Sequence, residues 1–196
     1  MTLGIVPYPV MVYLRLLVLG DVLIIIRCLV VQRRTRWCKT LPRKVNVFIW
    51  RVAFNRLPTR INISSRGMDI ERIGCVLCLY QVESSSHILF LCEVAIEIWR
   101  RVRLWVDIQW LRFSDWSEWI VWFDDWHVTS DKKMRLFAIV AATTWILWKY
   151  RNTVLFASHM LKKQELFDSI CMFSFNWVTD RGKLNISWSE WFSKPL

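Results

Sequence analysis

Residues 75–92 read CVLCLYQVESSSHILFLC, and this stretch decides how the rest of the chain is interpreted. It holds the spacing C-x2-C-x8-H-x4-C, formed by Cys75, Cys78, His87 and Cys92. Two cysteines separated by two residues let one tight turn aim both sulfurs at a single ion, and the second pair returns from the start of a helix. Zinc prefers four tetrahedral nitrogen and sulfur ligands, so the pattern predicts a structural zinc site without an open position.

The second pair of ligands places a constraint on the backbone. His87 and Cys92 are five residues apart, and in an ideal helix that offset turns them about 140° away from each other. We therefore expect His87 at the start of a helix, where the backbone is not yet regular, and Cys92 one turn inside it. Because residues 70–92 can bury little else, we expect their folding to depend on the metal.

The other cysteines, Cys28, Cys38 and Cys171, are scattered singly. A secreted disulfide framework would need an even, dense set in a short chain. The pattern indicates a reducing compartment, and we expect an intracellular protein, nuclear or cytoplasmic.

Two short helices are predicted before the cysteines. The first begins at Lys44 and should stop at Leu57, because Pro58 disfavours helical backbone in the residue before it. Thr59 is a suitable N-cap for a second short helix that ends at Gly67. The apolar stripe of the first helix follows helical spacing: Val45, Phe48, Ile49 and Val52.

The rest of the chain is also predicted to be helical. A third helix begins near His87, residues 106–130 are irregular or short-helical, and two longer helices cover 132–156 and 162–180, the last one ended by Gly182. Fourteen tryptophans against five glycines favour a helix-rich protein. The predicted fold is mostly α: a small Cys3His zinc module (helix-helix-knuckle-helix) followed by a C-terminal helical, Trp-rich region. We divide the chain into an apolar, poorly specified extension (1–36), the zinc module (37–108) and the helical region (109–196).

The apolar segments do not predict a membrane span. Within the first 36 residues, Arg15, Asp21 and Arg27 interrupt every apolar run. The uncharged run 136–148 is also shorter than the roughly 18 to 20 residues that a spanning helix needs, so it indicates a core helix. We expect no membrane partner.

The net charge of +11 is concentrated in the first part of the chain. Residues 1–72 carry 13 Lys/Arg against three acidic residues, whereas the remainder carries 14 against 13. A basic segment beside a small metal site suits a nucleic acid, RNA or DNA, because phosphate contacts supply most sequence-independent affinity. The alternative is that these side chains only solvate helix faces. The candidate phosphate contacts are Arg43, Lys44, Arg51, Arg56, Arg60 and Arg66, with Trp37 and Trp50 available for base stacking unless they belong to the core.

Several motifs around the cysteines resemble a known family. They are Trp37-Cys38-Lys39, the run 41–51 (LPRKVNVFIWR), Asn55-Arg56-Leu57-Pro58-Thr59-Arg60, Arg66-Gly67, the four ligands and Trp99. Together they resemble the reverse transcriptase zinc-binding domain of plant LINE-type (non-LTR) retrotransposon polyproteins. The resemblance implies a module that accompanies an RNA-directed DNA polymerase, contacts the element's RNA or target DNA, and has a reverse transcriptase domain as a partner in trans.

The same resemblance argues against an enzyme. The polymerase itself is not recognised in the sequence, and the faint palm-like run Trp122-Phe123-Asp124-Asp125 lies downstream of the zinc module, on the wrong side. No Ser/His/Asp grouping or Gly-rich phosphate loop is evident, and His127 and His159 are isolated. The competing interpretations are therefore a nucleic-acid-binding module, a zinc-stabilised protein-interaction scaffold, and a non-functional retroelement remnant.

Overall fold

The computed structural model describes the backbone of residues 17–19 and 22–24 together with residues 37–108, 113–156 and 162–196. Leu17–Leu19 (β1) and Val22–Ile24 (β2) form an antiparallel pair in which Leu17 is opposite Ile24. The remainder of the predicted extension 1–36 lies outside the described residues. So do residues 109–112, where the C-terminal region was predicted to begin.

The described part of the chain is mostly α-helical, as predicted. Two single π-helical turns, each closed by hydrogen bonds between residues five apart, interrupt the ordinary helices: the first π-turn is His87–Leu91 and the second is Trp177–Arg181. The α-helices are α1 (Arg43–Ala53), α2 (Arg60–Ser64), α3 (Glu93–Val106), α4 (Trp116–Asp125), α5 (Ser130–Phe156), α6 (Glu165–Asn176) and α7 (Trp188–Ser193).

Helix α1 buries its predicted stripe but ends earlier than predicted. It stops at Ala53 rather than at Leu57. Asn55 adopts a left-handed backbone with φ of 51°, and its N–H donates to the Val52 carbonyl at 3.0 Å, while the Arg56 N–H donates to the Arg51 carbonyl at 2.7 Å. This is the Schellman arrangement, in which asparagine replaces the usual glycine. Asn55, and not Pro58, therefore ends the helix.

The turn between α1 and α2 follows the predicted capping chemistry. The Thr59 hydroxyl accepts a hydrogen bond from the Asn62 N–H at 3.3 Å, so Thr59 is the N-cap of α2. The helix ends at Ser64, and Gly67 then takes a φ of 83°, which a side chain would strain. Buried Asn46 fixes the segment before α1, since its amide accepts from the Cys38 N–H at 2.9 Å and donates to the Cys38 carbonyl at 2.9 Å.

Helix α5 is the centre of the fold. Every residue from 136 to 144 is buried, which confirms a core helix. It packs against α1, α3, α6 and both π-turns, and the Phe48 ring of α1 meets Trp145 edge to face with centroids 5.2 Å apart. One hydrophobic core therefore joins the predicted zinc module to the predicted C-terminal region.

Among the described helices, none combines the length and apolar character needed to cross a membrane.

The C-terminal end folds back onto the core. Trp191 of α7 is fully buried, and its indole N–H donates to the Cys171 carbonyl at 3.3 Å. Trp188 packs edge to face on Phe175 at 5.1 Å but keeps 45% of its surface exposed. Gly182 follows the second π-turn, and the position requires glycine because a Cβ there would lie 2.5 Å from the Val178 carbonyl oxygen.

Candidate metal centre

The first two ligands lie on a short knuckle formed by residues 73–83. Gly74 and Val82 form an isolated antiparallel bridge, and the Cys75 N–H donates to the Gln81 carbonyl at 2.7 Å. The turn between them is closed by the Leu79 N–H, which donates to the Cys75 carbonyl at 2.9 Å and places Leu79 at a φ of 66°. The tight turn directs the Cys75 and Cys78 sulfurs to the same side, as the C-x2-C spacing predicts.

The second two ligands flank the first π-turn. The Cys92 N–H donates to the His87 carbonyl at 2.7 Å, which is the i→i+5 bond that defines this turn. His87 lies at the start of the helical segment, as predicted. Cys92 was predicted to lie one turn inside a regular helix, and that is wrong: its backbone is extended, with φ of −65° and ψ of 143°, and it precedes the first residue of α3.

The π-turn explains how His87 and Cys92, which are five residues apart, can face the same ion. A turn closed between residues five apart returns the chain to the same side after five residues, whereas a regular helix would leave them about 140° apart. A π-turn contains one residue more than an α-helical turn, and side chains before and after it stabilise this wider turn. The Ser84 hydroxyl accepts from the His87 N–H at 3.0 Å, and the Trp99 indole N–H donates to the Leu89 carbonyl at 2.7 Å.

Trp99 also contacts the turn through its ring. Phe90 and Trp99 stack with centroids 5.8 Å apart and planes inclined by 4°. Buried polar groups are normally hydrogen-bonded, and the indole N–H supplies such a partner to the Leu89 carbonyl inside the π-turn. Trp99 belongs to the motifs of the family resemblance, which do not predict this contact. The structure gives it a positioning role for His87 and Cys92.

The four ligand atoms form one compact cluster, and all of them lie within 4.8 Å of one another. The Cys75 and Cys92 sulfurs are 4.0 Å apart, and the Cys78 sulfur lies 3.3 Å from Nε2 of His87. In a tetrahedral zinc site, two sulfurs lie about 3.8 Å apart and a sulfur and a nitrogen about 3.6 Å apart. The donor set and its spacing therefore fit zinc, as predicted.

A hydrogen bond couples the protonation of the Cys75 and Cys92 sulfurs. Cys75, Cys92 and His87 are buried and Cys78 is half-buried. The hydrogen bond from the Cys92 thiol, together with the backbone N–H groups of Cys78 and Leu77, lowers the pKa of Cys75 to about 5. The pKa of Cys92 is raised, first by its hydrogen bond to Cys75 and then by burial. In the absence of metal, the pair thus holds one proton between two sulfurs, and zinc binding would release it.

A buried ion pair between Glu83 and Arg151 connects the knuckle to helix α5. Glu83 follows the bridge at the end of the knuckle and its side chain is fully buried. Its Oε1 accepts from Nη2 of Arg151, at 2.5 Å, and from the Arg60 N–H at the start of α2, at 3.0 Å. One carboxylate therefore connects the knuckle, α2 and the central helix α5. Sequence reasoning missed Glu83, because its partner is 68 residues away.

The candidate phosphate contacts are distributed on the surface around α1 and α2. Arg43, Lys44 and Arg51 are exposed on α1, and Arg56 is exposed just after it. Arg60 is half-buried, and its Nη1 donates to the Gly74 carbonyl at 2.8 Å, so this side chain fastens α2 to the knuckle. The remaining candidate, Arg66, is exposed beyond α2.

The two tryptophans considered for base stacking are both accessible. Trp37 is 52% exposed and Trp50 is 36% exposed. Most of the other described tryptophans are buried or half-buried, as the core interpretation predicts. Trp50 lies on the same exposed side of α1 as Arg43 and Arg51.

Comparison with known proteins agrees with the geometry of the cluster. Neither a curated protein nor a solved structure matches the chain. Residues 27–99 match the family model described as zinc-binding in reverse transcriptase, and this range contains all four ligands and Trp99. The match and the Cys3His cluster therefore support a reverse transcriptase zinc-binding domain over residues 27–99.

Proposed function

We propose that the chain is a zinc-stabilised nucleic-acid-binding module that acts as an accessory to a reverse transcriptase. The observation that supports it best is the one-sided charge of the segment before the knuckle. Residues 37–68 contain seven Lys and Arg residues and no Asp or Glu. A surface of one sign attracts a polyanion, and neutralising backbone phosphates supplies most sequence-independent affinity for nucleic acid.

The basic side chains are available for this role. Arg43, Lys44 and Arg51 project from the side of α1 opposite its buried stripe, and Arg56 lies just beyond its end. None of the four forms an ion pair in the part of the chain that the structure describes. No carboxylate among the described residues therefore neutralises their charge.

The metal would act as a scaffold in this function. Four protein ligands complete the preferred shell of zinc, so no position remains for a water or a substrate. The knuckle that they hold is fastened to α2 by Arg60 and to α5 by Glu83. Zinc would thus fix the surface that carries the basic residues. We assign Arg60 to this scaffold rather than to phosphate contact.

We also propose an evolutionary origin and a protein partner for this chain. The match over residues 27–99 supports derivation from a reverse transcriptase polyprotein, and the motifs from Trp37 to Trp99 resemble those of plant LINE-type elements. A polymerase domain supplied in trans is the protein partner that this derivation implies.

A salt titration with a matched charge control tests the proposed function. Arg43→Gln, Lys44→Gln and Arg51→Gln would be combined, and Lys132→Gln, Lys183→Gln and Lys194→Gln would be the control with the same change of net charge. All six residues are exposed. We expect the first triple variant to reduce the slope of log K against log salt by about 2 on single-stranded RNA. The proposal is rejected if wild-type affinity does not depend on ionic strength, or if both triple variants lose equally.

A second candidate function is a docking scaffold for the polymerase domain. The tip of the knuckle exposes Leu79 and Tyr80, at 79% and 85%, although apolar surface of this kind is usually covered. Leu79→Ser combined with Tyr80→Ser should abolish co-elution with a polymerase domain and leave RNA affinity unchanged. Co-elution that survives both substitutions would rule out the tip as the docking surface.

A further inference from the structure

The exposed side of α1 carries an apolar strip bordered by cations. Val47 and Trp50 keep 40% and 36% of their surfaces exposed, and Phe54 is half-buried one turn further on. These residues follow the helical spacing i, i+3, i+7, so they lie in one line along the surface. Arg43 and Lys44 flank the line at one end, and Arg51 and Arg56 flank it at the other.

The aromatic end of the strip is already organised. The Trp50 and Phe54 rings lie 5.5 Å apart with planes inclined by 43°. The Arg56 guanidinium lies 5.2 Å from the Trp50 ring centroid and 6.0 Å from that of Phe54. The Schellman turn at Asn55 brings Arg56 back over these rings, because its N–H is tied to the Arg51 carbonyl. The turn that ends α1 therefore assembles a cation and two aromatic rings at one point of the surface.

The alternative, that Trp50 is an ordinary core residue, does not fit its position. The opposite side of α1 supplies the core, where Val45, Phe48, Ile49 and Val52 are all buried. The exposed Trp50 indole lies next to the Arg56 guanidinium, which has no carboxylate partner among the described residues. A ring and a cation at one place match the two parts of a nucleotide. The base stacks on the ring and the phosphate meets the cation.

We propose that Trp50, with Arg56 over its ring, is a base-stacking platform, and that the preferred ligand of this surface is single-stranded nucleic acid rather than duplex. The inference rests on the proposed function and makes it specific. In a duplex the base faces are occupied by neighbouring bases, so no base can stack on Trp50 and the phosphates remain the main contacts for the cations of α1. In a single strand an unpaired base can lie on the indole while the flanking phosphates meet Arg51 and Arg43.

The test compares one RNA sequence of twelve nucleotides as a single strand and as a duplex, using the full zinc-loaded chain. Trp50→Ala removes the platform, and Trp50→Phe keeps a smaller aromatic face. Trp188→Ala is the matched control, since Trp188 is 45% exposed and lies on α7. Zinc content and helicity of each variant show that it has folded.

We expect Trp50→Ala to weaken single-strand binding about 5-fold to about 150-fold. Trp50→Phe should lose less, and duplex binding should change by less than about 2-fold, within the range for a surface change that removes no phosphate contact. Trp188→Ala should bind both forms like the wild type.

The possible failures are distinguishable. If Trp50→Ala leaves single-strand affinity unchanged while the Arg43, Lys44 and Arg51 triple variant loses it, the platform is overturned and phosphate binding stands. Equal losses on single strand and duplex also overturn it, because stacking cannot act on paired bases. If the wild type binds neither RNA, the proposed function fails together with the platform.

Discussion

Replacement of Arg151 by methionine should destabilise the whole described fold. The side chains of Arg151 and Glu83 are 3% and 0% exposed, and the contact between Nη2 and Oε1 is 2.5 Å. Arg151→Met keeps an unbranched apolar stem beside Trp148 but leaves the Glu83 carboxylate buried with the Arg60 N–H as its remaining donor. Breaking a buried pair from one side costs about 3–5 kcal/mol. The unfolding equilibrium should therefore rise about 150-fold to about 5,000-fold.

The assay is urea unfolding followed by tryptophan fluorescence at a fixed free zinc concentration, because bound zinc itself adds to stability. The double variant Glu83→Gln/Arg151→Met removes the unpaired charge, so it should recover about 1–3 kcal/mol relative to Arg151→Met. Lys163→Met is the control: its ion pair with Glu97 is 43% and 46% exposed and should be worth about 0–1 kcal/mol. Equal losses from Arg151→Met and Lys163→Met, or a double variant as unstable as Arg151→Met, would refute the reasoning.

Three further outcomes can be checked. Cys78→Ser should abolish stoichiometric zinc binding and reduce helicity, because it removes one of the four ligands. Cys38→Ser, at a buried cysteine outside the cluster, should keep both. Equal zinc contents in the two variants would contradict the ligand assignment. Trp99→Phe keeps a smaller ring beside Phe90 and removes the N–H donated to the Leu89 carbonyl, so zinc affinity should fall by at least about fivefold, equivalent to about 1 kcal/mol. An unchanged affinity in a chelator competition would show that the hydrogen bond does not position the ligands. Burial raises the pKa of Cys171 from 9.0 to about 12, so iodoacetamide at pH 8 should modify it only after unfolding. Because the folded state holds this proton more tightly, its contribution to stability should be complete below pH 9.0 and lost as the pH rises toward about 12.

Local patterns explain what the sequence could predict. The four zinc ligands depend on spacing within 18 residues, and the metal imposes one geometry on that donor set. The buried stripe of α1 and the Thr59 cap depend on neighbours only a few residues away. Each of these features is written in consecutive residues, so no knowledge of the tertiary fold was needed.

The features that escaped prediction depend on distant partners or on competing signals. The break at Cys92, between the first π-turn and α3, was not predicted. The apolar residues Ile88, Cys92 and Ala95 continue across it at helical spacing, and no glycine or proline marks it. Asn55 did carry a signal for the end of α1, since asparagine tolerates left-handed backbone, but Pro58 was a stronger nearby signal for a later end. The pairing of Glu83 with Arg151 joins two ordinary charged residues that only the packing of α5 brings together.

The π-turn makes the number of residues between His87 and Cys92 a structural quantity. With one residue fewer, the two ligands would be four apart and would share a face of an ordinary α-helix without any break. With four residues between them, an α-helical turn has one residue too many, and the wider π-turn closed by the Cys92 N–H accommodates it. Shortening this interval by one residue should therefore do two things at once: fuse the turn with α3 into one continuous helix, and rotate α3, with the core residues that it carries, relative to the knuckle. The register of α3 therefore depends on the number of residues between His87 and Cys92, and an insertion or deletion in this interval should rotate the whole helix.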